Sequence, residues 1–255
     1  MTDPQYSRLP EYYDEVMQSV PYGFWIRYVL QLAARYKCQP RSILDLACGT
    51  GSLSIRLAQM GYDVEGADLS AGMIAQARRR AEAAGLDLRL EVQDAASLQM
   101  GRTYDLVISL YDSLNYITDE QALQACFQAV YHHLNPGGLF IFDMNTAYAF
   151  AEGLFDQRGR GHDRVLLYDW RSRYDAQTGI CEVDCTFRVR PAPELPAEEF
   201  QERHIERAYP IADLKAWLEQ AGFDRVRAFN SYTKQAPSSR SDRVHFVAAK
   251  WGDSR

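Results

Sequence analysis

The stretch Asp45-Leu-Ala-Cys-Gly-Thr-Gly51 sets a carboxylate just ahead of a glycine-rich turn. Glycine permits positive φ and lets a ligand approach bare backbone. A helix starting at Ser52 presents free N–H groups to an anionic ligand group. Strand, glycine turn and helix together form the nucleotide-binding corner of an open α/β sheet. Acids recur further on. Asp68 closes the run Asp63-Val-Glu-Gly-Ala-Asp68, where a carboxylate accepts from ribose hydroxyls in such sheets. The competing role for Asp68 is a helix-start acid beside Ser70. Asp94 follows Val92-Gln93, where capping a short turn is its structural role. Asp112 and Asn115 stand in Ser109-Leu-Tyr-Asp-Ser-Leu-Asn-Tyr116, at the sheet edge where ligands bind. Among the histidines, His132 and His133 fall late in a helix, a solvated position favoured by the dipole. His204, in Glu202-Arg-His-Ile-Glu206 and in phase with Phe200, is the best candidate for a general base. A surface or packing histidine is the alternative.

Alternating strand and helix signals position these residues. Residues 43–47, 63–68, 88–93, 104–109 and 139–144 read as strands. Ser70 is the N-cap of a helix with Met73, Ile74, Ala77 and Ala81 on one face. Thr118 and Gln121 make a capping-box pattern before a helix over 122–133, which Asn135-Pro-Gly-Gly138 ends. Pro210 opens a helix over 212–220. Residues 223–229 and 244–250 are the last strands, and the short loop between them dictates antiparallel pairing. Such alternation implies a parallel sheet with right-handed crossovers. Ahead of it, an aromatic-rich arm over 6–36 reads as two helices separated by Pro21. It serves either as packing on the sheet or as a lid, with Tyr13 and Trp25 the lid residues.

The glycine turn resembles motif I of the class I S-adenosylmethionine (SAM) methyltransferases, with Ala47 in place of the first glycine. The arm (Tyr13-Asp14, Pro21-Tyr22, Trp25) and the string Tyr111-Asp-Ser-Leu-Asn-Tyr116 resemble small bacterial members that methylate small molecules. The likeness covers residues 40–144 closely and 209–251 more loosely. It implies a Rossmann-like, seven-stranded, mostly parallel sheet with helices on both faces, in strand order 3-2-1-4-5-7-6. It also implies SAM as cofactor and S-adenosylhomocysteine (SAH) as product. Asp45, Ala47, Cys48, Gly49 and Gly51 would hold the turn against the methionine part of SAM. Asp68 would accept from the ribose and Asp94 from the adenine amino group with Ala95 N–H beside it, and Leu69, Met73 and Gln93 would also bind the cofactor. Leu110 and Tyr111 would touch SAM, leaving Asp112 and Asn115 for the acceptor. The Asn-Pro-Pro-Tyr and Asp-Pro-Pro-Tyr strings of amino methylation on bases or glutamine do not occur.

Between residues 147 and 208 the pattern changes to strict alternation, which predicts a small antiparallel β insertion after strand five. Leu166, Tyr168, Trp170 and Tyr174 share one face, as do Cys181, Val183, Cys185, Phe187 and Val189. With a turn at Ala176-Gln-Thr-Gly179, the expected register sets Tyr174 opposite Cys181, Trp170 opposite Cys185 and Tyr168 opposite Phe187. It also pairs Arg171 with Asp184 and Arg173 with Glu182. A looser third strand spans 200–207. The expected division is a cap over 1–36, a SAM-binding core over 37–146 and 209–251, and a substrate lid over 147–208. Tyr168, Trp170 and Phe187 would wall the acceptor; a dimer interface or packing on the core are the alternatives.

Composition narrows the partners. A net charge of −6 and a pI near 5.4 argue against nucleic acid as a general partner. No apolar run reaches the roughly 18 residues of a membrane span, and the start of the chain does not read as a signal peptide. The five cysteines lack metal-ligand spacing, so no metal is expected, and they suit a reduced, cytoplasmic protein. Cys48 reads as a small residue in a crowded turn rather than a nucleophile. Methyl transfer to a small-molecule N, O or C nucleophile, by a monomer or homodimer, is the leading reading. RNA or protein methylation and non-catalytic SAM binding are the alternatives. NAD chemistry lacks its third glycine, since Ser54 stands there.

Overall fold

The structure, a computed structural model, describes residues 5–162, 166–190 and 196–251. After a 3-10 turn at Leu9–Glu11, the arm forms α1 (Tyr13–Val16) and α2 (Tyr22–Arg35). The alternation then builds β1 (Ser42–Leu46), α3 (Ser52–Gln59), β2 (Asp63–Asp68), α4 (Ala71–Ala83), β3 (Arg89–Val92), β4 (Tyr104–Ser109), α5 (Glu120–His132) and β5 (Leu134–Asn145). An insertion follows: α6 (Ala147–Ala151), β6 (Gln157–His162), β7 (Leu166–Asp175), β8 (Ile180–Val189) and β9 (Glu198–Arg207). The chain returns through α7 (Ile211–Gln220), β10 (Arg225–Asn230) and β11 (Arg243–Ala249).

The main sheet has seven strands in the order β10-β11-β5-β4-β1-β2-β3, the order the family resemblance implies. β1 to β5 pair in parallel, and β11 runs antiparallel to both β10 and β5. Parallel strands must be covered on both faces, and the side chains divide accordingly. Phe140, Phe142 and Met144 of β5 pack with Leu123, Phe127 and Val130 of α5 and Leu214 and Leu218 of α7. Leu139 and Ile141, one position out of phase, face Trp25, Val29 and Leu32 of α2 and Leu53 and Leu57 of α3. Burying each such side chain contributes roughly 1.5–3 kcal/mol. With six residues so buried, α2 is a fixed layer of the core rather than a loose cover.

Local signals explain most element ends. Ser70 caps α4 by accepting from Met73 N at 3.3 Å. Helix α5 differs from expectation: its cap is Asp119, which accepts from Ala122 N at 2.8 Å, not Thr118. A carboxylate one residue later meets the same orphan N–H groups and complements the dipole. Strand β5 begins at Leu134, ahead of the predicted 139, because Leu134 already pairs with Tyr104 across Asn135-Pro-Gly-Gly138.

The insertion is a four-stranded antiparallel sheet in the order β6-β7-β8-β9. The β7–β8 register is the expected one, with Tyr174 opposite Cys181, Trp170 opposite Cys185 and Tyr168 opposite Phe187. Arg171 faces Asp184 and Arg173 faces Glu182 on the polar side. Strand β6 was not foreseen from the pattern. Its residues, Gln157-Arg-Gly-Arg-Gly-His162, carry no apolar alternation.

The arm ties this second sheet to the main one. Glu202 of β9 accepts from the backbone N–H of Tyr6, Arg8 and Leu9 at 3.0, 2.7 and 3.0 Å, and from the Ser7 hydroxyl at 3.0 Å. At the other end, Asp14 accepts from Thr50 Oγ1 at 2.7 Å and pairs with Arg80 at 2.9 Å. Leu9, Val16 and Met17 then pack on Tyr168, Phe187 and Phe200.

The Glu202 anchor makes this junction sensitive to acid. Burial raises its pKa, but hydrogen bonds from His204, the Arg8 and Leu9 N–H groups and Ser7 outweigh that and hold it at about 2, below the usual 4.5. A depressed folded-state value contributes stability above the unfolded pKa, and that stability is lost as pH falls through the folded one. The contribution is about 3 kcal/mol, lost between pH 4.5 and about 2. Glu202→Gln should therefore flatten the pH dependence of unfolding free energy in that window. Urea titrations at stepped pH check this; an unaltered slope would contradict the anchor role.

Candidate active site

The glycine turn after β1 is built around two carboxylates. Asp45, 1% exposed, accepts from Ser54 Oγ at 2.5 Å, which fastens the end of β1 to α3. Burial pushes its pKa up to about 7 although the Ser54 bonds oppose the rise. A ligand cation beside it would favour its ionised form. Asp68 at the end of β2 accepts from Gly49 N and from Ser70 N, both at 2.8 Å, so one side chain sets both the turn and the start of α4. Gly49 and Gly51 have φ of +55° and +77°. At Gly51 an added Cβ would lie 3.2 Å from Ala77 Cβ, so glycine there permits α3 and α4 to pack. Ala47 has φ +58°, a left-handed conformation costing an L side chain roughly 1–2 kcal/mol; a glycine at this position would avoid that cost. Asp94 accepts from Ala96 N at 2.8 Å and caps the 3-10 turn Ala95–Ser97.

Three cavities lie along the carboxyl edge of the main sheet. The first spans about 910 Å³, its open mouth included, between the ends of β1 to β3 and the 3-10 turn Ser113–Tyr116. Ala47, Gly49, Asp68, Leu69, Met73, Gln93, Asp94 and Ala95 line it. The second, about 410 Å³, is lined by Trp25, Asp45, Cys48, Leu110 and Tyr111. The third, about 890 Å³, lies between the two sheets and is lined by Asp112, Asn145, Trp170, Glu206 and Arg243, among others. Tyr13 and Ser113 line all three, so the cavities meet at that pair. Gly51 lines none of them and acts through the turn.

The loop after β4 is held at this meeting point in a strained form. Tyr111 and Asp112 have φ of +69° and +53°, each costing about 1–3 kcal/mol for a non-glycine residue. Buried charges hold them there. Asp143 on β5 accepts from Tyr111 N at 2.7 Å and Asp112 N at 3.3 Å. Arg243 on β11 donates to Asp143 at 2.5 Å and pairs with Asp112 at 2.7 Å. Burial pushes the Asp112 pKa up despite the opposing pull of Arg243. Burial alone would lower the Arg243 pKa, but Asp112 and Asp143 more than reverse it.

Other sequence-derived candidates separate on inspection. Asp112, Trp170 and His204 line the third cavity. Asn115, Tyr168 and Phe187 do not. Asn115 donates to Arg207 O at 2.8 Å and Asn145 O at 3.2 Å and accepts from Asn145 N at 2.9 Å, so it knits β5 to the end of β9. Tyr168 and Phe187 are spent packing against the arm. Trp25 is 6% exposed, stacked on Tyr232 and tilted against Tyr111, a fixed wall of the second cavity. His204 has both ring nitrogens engaged: Nε2 stands 3.2 Å from Glu202 and Nδ1 3.2 Å from the Tyr116 hydroxyl. With Glu202 ionised, Nε2 carries the proton and Nδ1 accepts from Tyr116. His204 therefore faces the cavity through Tyr116.

Arg243, Asp143, Asn145, Tyr116 and Glu206 were not singled out by sequence reasoning. Glu206 alone carried a signal. Phe200, Glu202, His204 and Glu206 share one strand face, and that face is the buried one.

Removing one partner from a buried charge network costs about 3–5 kcal/mol. Arg243→Met should lose that much in a urea melt, and should weaken SAM binding because Tyr111 and Asp112 are released. Unchanged stability would mean that the triad does not hold the loop.

Residues 43–138 match the family described as methyltransferase domain. The chain is 33% identical over 246 residues to a protein of Geobacillus sp. (strain WCH70) that carries a methyltransferase name, spanning 96% of this chain and 99% of that one. It is 31% identical over 204 residues to the dTDP-3-amino-3,4,6-trideoxy-alpha-D-glucopyranose N,N-dimethyltransferase of Streptomyces venezuelae, spanning 78% and 80%. The crystal structure of an S-adenosylmethionine-dependent methyltransferase from Clostridium acetobutylicum ATCC 824 matches with a TM-score of 0.84 at 28% identity, over 97% of this chain and 99% of that one. With the glycine turn, the β2 acid and the strand order already in place, the chain belongs to the class I SAM-dependent methyltransferases, and SAM is its methyl donor.

Proposed function

We propose that this enzyme methylates a small molecule held in the cavity between its two sheets. The observation that carries the reading is the meeting of three cavities at Tyr13 and Ser113. The donor's chemistry fits the residues along the first two. Asp68 would accept from the ribose hydroxyls, and Asp94 from the adenine amino group with Ala95 N–H beside it. Asp45 would face the methionine end, with Gly49 offering bare backbone. SAM supplies an electrophilic methyl carbon on a sulfonium. The protein's own work is to orient and to exclude water, which aligned reactants convert into rate. Tyr13 closes the junction from the arm, Trp25 and Tyr111 wall it, and Trp170 belongs to the acceptor side. His204, fixed by Glu202, positions the Tyr116 hydroxyl.

Lining and charge support a small acceptor. The recess between the sheets is walled mostly by aromatic and apolar side chains with a few polar groups, as small-molecule sites are, and the net charge of −6 disfavours RNA. The N,N-dimethyltransferase relative, named for an amino sugar nucleotide, points the same way. We assign the division of labour accordingly: cap over 1–36, SAM-binding core over 37–146 and 209–251, and substrate-walling insertion over 147–208. Five buried, unpaired cysteines suit the reducing cytoplasm. No helix of the described residues is long and apolar enough to cross a membrane.

Two variants test the assignment. Hydrogen bonds to a charged acceptor contribute about 1.5–3 kcal/mol each, so Asp68→Ala should weaken SAM binding by tenfold or more in titration calorimetry. Asp68→Asn, which keeps the shape at Gly49 and Ser70, should weaken it less. Trp170→Ala should leave SAM affinity near normal and impair methyl transfer in a metabolite screen with labelled SAM. A Trp170→Ala protein that splits from dimer to monomer yet keeps its transfer rate would contradict the acceptor-wall role.

A further inference from the structure

The cavity between the sheets carries more negative than positive charge. Asp112 and Glu206, 8% and 6% exposed, line it, and Asp156 stands at its exposed rim. Arg243 is the one arginine or lysine among its described lining residues, and it is already committed to Asp112 and Asp143. Burial and the neighbouring Asp112 both push the Glu206 carboxyl toward its neutral form, with Arg243 and a hydrogen bond from the Asn145 amide opposing. Apart from Asp112 Oδ1, which is ion-paired with Arg243, three buried lining atoms have no hydrogen-bond partner: the acceptors Glu206 Oε2 and Asn145 Oδ1 and the donor Trp170 Nε1. Asn145 is 4% exposed. Buried acceptors without donors cost free energy, and the missing donor is what a ligand would bring. Aromatic rings complete the enclosure: Tyr6, Tyr111, Tyr116, Phe150, Phe155 and Trp170.

Resting on the methyl-transfer reading, we infer that the acceptor is a primary or secondary amine that enters as its ammonium, and that Glu206 is the catalytic residue that anchors it and takes its proton. An ammonium offers several N–H donors, enough for Glu206 Oε2 and Asn145 Oδ1 together. Its charge offsets the acidic wall and is attracted by the ring faces. An alcohol or phenol offers one O–H and leaves one buried acceptor unmet. A carboxylate acceptor meets repulsion from Asp112 and Glu206.

The chemistry balances. Binding of the ammonium beside Glu206 favours the ionised carboxylate and releases the resting carboxyl's proton to water; one ammonium N–H bond then breaks, and its proton forms the O–H bond of the Glu206 carboxyl while nitrogen keeps the electron pair. That pair forms the bond to the donor methyl carbon as the carbon–sulfur bond breaks with its electrons staying on sulfur. His204 is unsuited to the direct proton transfer because Glu202 and Tyr116 occupy its nitrogens.

Equilibrium binding separates the classes without turnover. Phenethylamine, 2-phenylethanol and phenylacetate share a ring and differ in the functional group. On SAH-saturated wild-type protein, phenethylamine should bind about tenfold or more tightly than 2-phenylethanol, and phenylacetate most weakly. Glu206→Gln should abolish the amine preference while SAH affinity stays near the wild-type value, and Glu206→Asp should restore part of it. Equal or tighter binding of the alcohol or the carboxylate to the wild-type protein would overturn the inference, as would a preference that survives Glu206→Gln. Repeating the series on ligand-free protein keeps the two readings apart. Failure to bind SAH would count against the donor-site assignments, whereas loss of the amine preference in both series counts against the amine alone.

Discussion

Arg243 bridges two buried carboxylates, Asp112 after β4 and Asp143 on β5, and the rest of the site depends on that bridge. The loop it restrains runs through two consecutive left-handed residues, Tyr111 and Asp112, a conformation that neither side chain prefers. Asp143 receives both of their N–H groups, so backbone and side-chain charge act on the same two residues. A buried ion pair is weak evidence for net stability, because desolvation consumes much of the Coulomb gain. Its consequence here is geometric. Ser113, at the start of the turn that this loop feeds, faces all three cavities, so fixing the loop fixes where the cavities meet.

The arm supplies the complementary constraint. It spans both sheets through two carboxylates, Asp14 at the glycine turn and Glu202 on β9. Between those anchors it delivers Tyr6 and Tyr13 to the junction. Tyr6 packs edge-on to His204 at 4.7 Å and meets Tyr116 at 5.6 Å, while Tyr13 stands where the three cavities meet. Glu202 therefore has two consequences from one set of bonds: it secures the arm, and it orients His204 and through it Tyr116. Helix α2, by contrast, is fastened by its apolar face to the main sheet, so any closing motion belongs to the segment ahead of Pro21.

Much of this architecture was legible in the residues, for reasons of period. The run Ile43-Leu-Asp-Leu-Ala47 marked β1 as a strand, and period-two alternation fixed the β7–β8 register, with Arg171 opposite Asp184 and Arg173 opposite Glu182. The strand order came from the family resemblance, since periodicity says nothing about which strands are neighbours. What was not legible falls into two kinds. Strand β6 is held by pairing with β7 rather than by an apolar face, so its Arg-Gly-Arg-Gly core left no pattern to read. The triad joins residues separated by 100 or more positions, Asp143 to Arg243 and Asp112 to Arg243, and no local rule links them. Tyr168 and Phe187 were correctly placed on an apolar face, but the partner of that face is the arm as well as the cavity. Glu206 was readable in principle: a third acidic or basic residue in phase with Phe200 on a buried strand face needs a reason to be there.

A crystal structure of the protein with SAH tests most directly whether donor and acceptor spaces join at Tyr13 and Ser113, as proposed. The account predicts adenosine between Asp68 and Asp94, the amino acid end beside Asp45, and the sulfur at the Tyr13–Ser113 junction, open toward Tyr116 and Glu206. A sulfur turned to bulk solvent, or sealed from the space between the sheets, would contradict it.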